Sequence, residues 1–133
     1  KQAGSSGQEY ASTIATDAEG NIYTTGGFRN TANFDSGTVT TSLTSNGDND
    51  IFIQKMNTNG DLIWLKQIGG SLQDNAISMT LDSDKNIYIS GSFQDTVDFD
   101  PDTGVYNVTS LSNATVVVVL LASKVTSSTS TVS

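Results

Sequence analysis

The sequence predicts an all-β protein built from two tandem four-stranded antiparallel sheets. Three observations predict it: an internal repeat spaced 65 positions apart, two hairpin signals inside each full repeat, and no apolar spacing of helical period anywhere in the chain. The repeat is the strongest of the three. Residues 13–28 read TIATDAEGNIYTTGGF and residues 78–93 read SMTLDSDKNIYISGSF. Asp17 matches Asp82, Tyr23 matches Tyr88, Gly26 matches Gly91 and Phe28 matches Phe93. The register runs back to Lys1-Gln2 against Lys66-Gln67 and forward to Phe34-Asp35 against Phe99-Asp100, after which the second copy is read as carrying two extra residues.

Within the first copy, ASTIATD (11–17) and NIYTTGGF (21–28) flank the turn AEG, and DIFIQKMN (50–57) and DLIWLKQIG (61–69) flank TNG. Strands separated by short Gly- and Asn-containing turns read as hairpins. Along a strand, side chains alternate between the two faces. Ile51 and Ile53 therefore oppose Phe52 and Gln54, and Leu62 and Trp64 oppose Ile63 and Leu65. Apolar residues on both faces mean that both faces need cover. Two hairpins per repeat make a four-stranded meander, and stacked meanders of this kind are the blades of a β-propeller. The expected division is blade 1 over residues 1–68 and blade 2 over residues 69–133, with a degenerate or poorly identified last hairpin over about 115–133. The expected inter-blade core is Ile14, Ile22, Tyr23, Phe28, Ile51, Phe52, Trp64, Ile87, Tyr88 and Phe93. Gly26 and Gly91 are expected at bulges or close strand approaches, and Gly69-Gly70 at the junction of the blades.

Where the second copy should show its last hairpin, it reads ATVVVVLLASKVTSSTSTVS. Three readings stay open for this stretch: a degenerate buried strand with a linker, a strand that inserts into a neighbouring subunit, or a provisional assignment of residue identities. The chain begins with Lys1, as expected of a processed, cropped or partial chain, and it opens in the tail of an outer strand. Two blades cannot close a ring, so the expected partners are other blades of a parent chain or copies of the chain itself.

Composition narrows the function. The chain has no cysteine and no histidine, which removes disulfides, thiolate chemistry, the commonest general base and the commonest zinc ligand. The net charge of −8 disfavours contact with nucleic-acid phosphates and favours hard cations. No apolar run is long enough to span a bilayer and no leader is recognisable. No catalytic constellation stands out, so a non-enzymatic role is expected, with no cofactor unless calcium.

The strings DAEGNIYTTGGF, FDSG, DIFIQKM and GDLIWLKQIGG, repeated in part as DSDKNIYISGSF and DFDPDTG, resemble the SBBP-type β-propeller repeats over roughly residues 1–110. That resemblance implies a secreted or cell-surface, multi-blade protein of the kind found in Bacteroidetes, with structural or protein-binding duties. It carries no catalytic residue over. The fold itself hosts many activities.

Several groups are candidate sites. Asp98, Asp100 and Asp102 in DFDPDTG alternate as calcium ligands can, although the glycine comes one position late and an acidic solvated turn is the plainer reading. Asp17 and Asp82 are expected to accept amides of the turns that follow them. The aromatic residues Trp64, Tyr23, Tyr88, Phe28 and Phe93 are expected to fill the core rather than stack on sugar, with Tyr10 the better surface candidate because Asn75 replaces it in the second copy. Thr96, within Asp95-Thr96-Val97, fits a bacterial O-glycosylation pattern, and Asn107-Val108-Thr109 and Asn113-Ala114-Thr115 are N-glycosylation sequons. The acid pairs Asp48/Asp50 and Asp82/Asp84 are expected to be solvated loop carboxylates. The long segments 29–49 and 94–114 are expected as loops that could bind a glycan or a cell-surface protein.

Overall fold

The computed structural model describes residues 8–36, 39–98, 107–109, 114–121 and 124–130. All regular structure among them is strand: β1 (Gln8–Thr16), β2 (Ile22–Arg29), β3 (Thr31–Ser36), β4 (Val39–Thr44), β5 (Asp50–Met56), β6 (Leu62–Gly70), β7 (Asn75–Leu81), β8 (Ile87–Phe93), β9 (Thr96–Asp98), β10 (Asn107–Thr109), β11 (Ala114–Leu121) and β12 (Lys124–Ser130). Strands β1-β2-β5-β6 form one antiparallel meander and β7-β8-β11-β12 form a second with the same order. These are the two blade-like sheets read from the repeat, and the fold is that of a β-propeller fragment.

Strands β11 and β12 are the third and fourth strands of the second sheet, with Val116 opposite Gly91 as Phe52 is opposite Gly26. Strand pairing also corrects the predicted insertion. Phe28 pairs with Asp50, whereas Phe93 pairs with Ala114, so the second copy is one residue shorter there rather than two longer. Among the described residues both long segments contain paired strands, and residues 37–38, 99–106 and 110–113 lie outside the described residues. Strand β3 pairs antiparallel with β4, and β9 pairs with β10 at the equivalent place in the second copy. Alternating Thr and Ser with apolar residues allows a ladder to form, and cross-strand hydroxyl pairs such as Thr31–Thr44 at 2.9 Å and Thr96–Thr109 at 2.6 Å tie it. Strand β9 also pairs with β6, Gly70 opposite Val97, so the hairpin of one blade extends the sheet of the other.

The turns repeat as closely as the strands. Asp17 Oδ1 accepts the amides of Glu19 at 3.0 Å and Asn21 at 2.9 Å, and Asp82 Oδ1 accepts those of Asp84 and Asn86, both at 2.9 Å. Asn57 does the same for Asn59 and Asp61. Gly20 and Gly60 take the left-handed backbone these turns need, and Lys85 takes it in the second copy at φ 67°.

Both inner strands carry a glycine opposite a bulge. The register shifts between Ala11 and Thr13 opposite Gly26, and between Ala76 and Ser78 opposite Gly91. A Cβ on Gly26 would stand 1.9 Å from the Tyr10 carbonyl oxygen, and one on Gly91 would stand 2.1 Å from that of Asn75. Gly91→Ala is expected to force β7 away from β8 and to cost about 1–3 kcal/mol in chemical denaturation, the usual range of overpacking changes. An unchanged denaturation midpoint would contradict the bulge assignment.

Candidate interaction faces and the blade joint

Strand alternation gives each sheet two chemically distinct faces. On blade 1, Ala15, Tyr23, Thr25, Ile51, Ile53 and Ile68 lie on what we term the trailing face, and Ile14, Ile22, Phe28 and Phe52 lie on the opposite, leading face. Blade 2 repeats this, with Tyr88 and Ser90 trailing and Met79, Ile87, Ile89 and Phe93 leading. The trailing face of blade 1 packs on the leading face of blade 2 in one buried cluster: Tyr23, Ile51, Ile53 and Ile68 meet Ala76, Met79, Ile87, Ile89, Phe93 and Val97. Burying an Ile or Met side chain in this way contributes about 1.5–3 kcal/mol. Trp64 is half-buried at the rim, edge-on to Tyr23 with ring centroids 6.2 Å apart.

Two residues expected in the inter-blade core belong instead to a cluster within blade 1. Phe28 and Phe52 are buried under Ala32 and Phe34 of that blade's own β3-β4 hairpin. The hairpin roofs only this end of the leading face. At the other end Ile14 is 65% exposed, the opposite of its expected core role, and Ile22 is half-buried. Their repeat equivalents Met79 and Ile87 are 7% and 2% exposed because blade 1 covers them. The contrast inverts on the trailing side: Tyr23 is 1% exposed, while Tyr88 is half-buried beside a shallow depression lined by Ser78, Met79, Thr80, Tyr88, Ile89 and Ser90. The described structure therefore ends in one open face of each kind.

The joint between blades is polar. Asn49 Nδ2 donates to the Asp74 carbonyl and to Asn75 Oδ1, both at 2.8 Å, and to the Tyr10 hydroxyl at 3.2 Å, and that hydroxyl in turn donates to Asn75 Oδ1. Asp74 accepts the amides of Gly70 at 2.9 Å and Gln94 at 3.3 Å, fixing the crossing from one blade to the next. Asp50 accepts the Asn46 amide at 2.9 Å and Gln67 Nε2 at 2.7 Å, while its Oδ1 has no hydrogen-bond partner. Gly69 is required here, since a Cβ would stand 2.1 Å from the Asp50 carboxyl carbon. Asp50 and Asp74 are both fully buried, so Asp50 is not the solvated loop acid its sequence context suggests. Burial pushes both carboxyls up, against their hydrogen bonds; Asp74 reaches about 6, with the Asp50 charge adding to the rise. The turn acids move the other way. At Asp17 burial pulls upward but is outweighed by the Asn21 side chain and amide, the Tyr23 hydroxyl and the Glu19 amide, which hold it at about 2. Hydrogen bonds from the Asn86 amide and side chain lower Asp82, with burial opposing.

Sequence reasoning missed Asn49, Gln67 and Asp74. Asn49-Asp50 recurs as Asn113-Ala114 and Asp74 aligns with Glu9, so a repeat alignment carried through the turns marks the positions without revealing their burial. Of the calcium candidates, Asp98 lies on β9 opposite Asn107 and Gly69, and Asp100 and Asp102 fall outside the described residues. Among the described residues no group of three acidic, His or Cys side chains is placed to hold a metal. Thr96 is exposed with its hydroxyl paired to Thr109, and Tyr10 is 49% exposed at the rim of the joint. No helix among the described residues is long and apolar enough to cross a membrane.

Comparison with known proteins agrees with this geometry. Residues 63–92, from the outer strand of blade 1 to the second strand of blade 2, match the family described as SBBP, beta-propeller repeat. The chain is also similar to an uncharacterised WD repeat-containing protein of Acanthamoeba polyphaga mimivirus, 36% identical over 96 residues. That match spans 62% of this chain and 7% of the relative, so the chain corresponds to a small part of that protein's length. No solved structure gives a significant match.

The carboxylates set a pH dependence whose sign follows from linkage. Asp74 and Asp50 bind a proton more tightly folded than unfolded, so stability is expected to fall as pH rises above the ordinary carboxylate value of 3.8, for Asp74 through about 6. Asp17 and Asp82 bind it less tightly folded, so their contribution is present above 3.8 and lost as pH falls, for Asp17 toward about 2. Urea midpoints measured from pH 4 to pH 7 should decline, and Asp74→Asn should flatten that decline. An equal slope in the variant would mean that Asp74 does not carry the effect.

Proposed function

We propose that this chain is a non-catalytic scaffold segment of a secreted or cell-surface β-propeller protein, whose flanks bind further blades. The observation that carries the reading is the contrast between Ile14 and Met79: one repeat position, buried where a blade stands against it and exposed where none does. The SBBP match supports a repeat module, and the WD repeat relative supports a protein-interaction role. The carboxylates least exposed to solvent, Asp50 and Asp74, are engaged in joining the blades, which supports a structural use of the acids over a hydrolytic one.

A second reading rests on the hairpins. Thr31 and Thr44, Ser42 with Asn33, and Thr96 with Thr109 form exposed hydroxyl and amide rows on both β3-β4 and β9-β10. Such rows suit hydroxyl-rich ligands, and the hairpins are then a carbohydrate- or surface-binding edge. Binding on a glycan array that is lost in Thr31→Val/Thr44→Val supports it, and an array without signal removes it.

The scaffold reading is tested in the intact protein on its producing cells. A cysteine at Ile14→Cys should resist a membrane-impermeant thiol reagent in the native protein and react after denaturation, because a neighbouring blade covers it. Native labelling as fast as denatured labelling contradicts the reading, and recovery of the protein only from the cytoplasm contradicts its secreted part.

A further inference from the structure

We propose that the joint between the blades is a proton-operated clasp: neutral Asp50 and Asp74 close it, and their ionisation parts the 45–49 turn from the 70–74 crossing. The clasp lies inside the chain and does not depend on what covers the outer flanks. Both carboxyls are fully buried at the point where blade 1 passes into blade 2. Asp50 holds the turn that follows β4, accepting the Asn46 amide and Gln67 Nε2 on Oδ2. Asp74 holds the crossing, accepting the Gly70 amide on Oδ2 and the Gln94 amide on Oδ1. The two segments are tied directly as well. The Asp74 amide donates to the Asn49 carbonyl at 2.7 Å, and Asn49 Nδ2 donates to the Asp74 carbonyl at 2.8 Å.

Asp50 Oδ1 is buried and receives no hydrogen bond, while Oδ2 receives two. That is the arrangement of a neutral acid, with Oδ2 as the carbonyl oxygen and Oδ1 as the hydroxyl. A charged oxygen left without donors costs more than an unpaired hydroxyl. Among the described residues neither acid touches a cation. Arg29 of β2 pairs with Asp48 at 3.3 Å, and Lys66 of β6 lies over the Trp64 ring at 5.6 Å. Asp95 beside Gln94 and Asp98 opposite Gly69 bring no positive charge, and Tyr10 of β1 reaches the joint through Asn49 and Asn75. The Asp50 charge opposes ionisation of Asp74. Water can solvate an ionised pair only by entering, and the turn stands in its way. A Cβ on Gly47 would lie 2.3 Å from the Ser71 carbonyl carbon and 2.6 Å from the Gly70 carbonyl oxygen. Lifting that contact releases Asn49 from Asp74 and Asn75, the polar set that orients one blade on the other. The apolar cluster from Tyr23 to Val97 contains no carboxylate and stays closed. The clasp is shut in acid and loosens as pH rises through about 6, where Asp74 titrates.

Amide hydrogen exchange of the full chain at pH 5 and pH 7, taken as protection relative to the intrinsic rate at each pH, tests this. Protection at Asn46, Gly70, Asp74 and Gln94 should fall about tenfold, the change linkage gives for a carboxyl moved from 3.8 to about 6. The interior amides of β5 and β8 should keep theirs. Asp74→Asn should make the joint amides insensitive to this change of pH. Carbon-13 titration of the Asp74 carboxyl in the wild type needs no variant and should give a midpoint near 6. If Asp74→Asn does not fold, as judged by circular dichroism, Asp50→Asn takes its place and should lower the Asp74 midpoint. A wild-type midpoint at the ordinary value of 3.8 overturns the proposal, as does protection at the joint that does not change with pH. An equal loss of protection in β5 and β8 also overturns it, because the whole fold and not the joint would then be yielding.

Discussion

The constraint on which this structure depends is that the sheet of blade 1 is apolar on both faces. A half-buried antiparallel sheet can turn one face to water, but blade 1 places Tyr23, Ile51, Ile53 and Ile68 on one face and Ile14, Ile22, Phe28 and Phe52 on the other, so both of its faces need cover. One shared interface satisfies half of that requirement. It explains why Tyr23, Ile53, Ile87 and Phe93 are closed off from water while Ile14 and Tyr88, at equivalent or complementary repeat positions, are not. The two sheets stack face to face, and that stacking decides which of their apolar residues are buried.

The chain uses its hairpins to reduce that requirement. β3-β4 folds back so that Phe34 closes the end of blade 1's leading face near Phe28 and Phe52, while β9-β10 reaches across to lengthen the first sheet through Gly70 and Val97. The same insertion thus roofs a blade in one copy and couples two blades in the other. It also pairs with the end of the β6 edge, at Gly69 and Gly70.

Apolar packing alone does not fix how one blade sits on the next. Asn49, Tyr10 and Asn75 form a directed hydrogen-bond set, and Asp74 binds amides from both Gly70 and Gln94. Buried ionisable groups are costly, as the upward displacement of Asp50 and Asp74 shows. The polar joint supplies direction to an interface whose apolar part would tolerate sliding. An exposed ion pair between Glu19 and Lys85, 2.9 Å apart, links the turns at the far end.

The sequence by itself determined the repeat, the strands and the turn chemistry. These are local properties: alternation has a period of two residues, Asp17 and Asp82 reach amides within four positions, and Gly26 faces the strand next to its own. Tertiary structure decided which faces are covered and where charge is buried. Ile14 and Met79 carry the same repeat label and differ only in what stands opposite them, and Asp50 reads as a loop acid until Gly69 and Gln67 close over it. The long segments read as loops because Thr, Ser and Asn are common to turns and to solvent-facing strands, and only cross-strand pairing separates the two. Burial depends on residues distant in the chain, and no local pattern of amino acids encodes it.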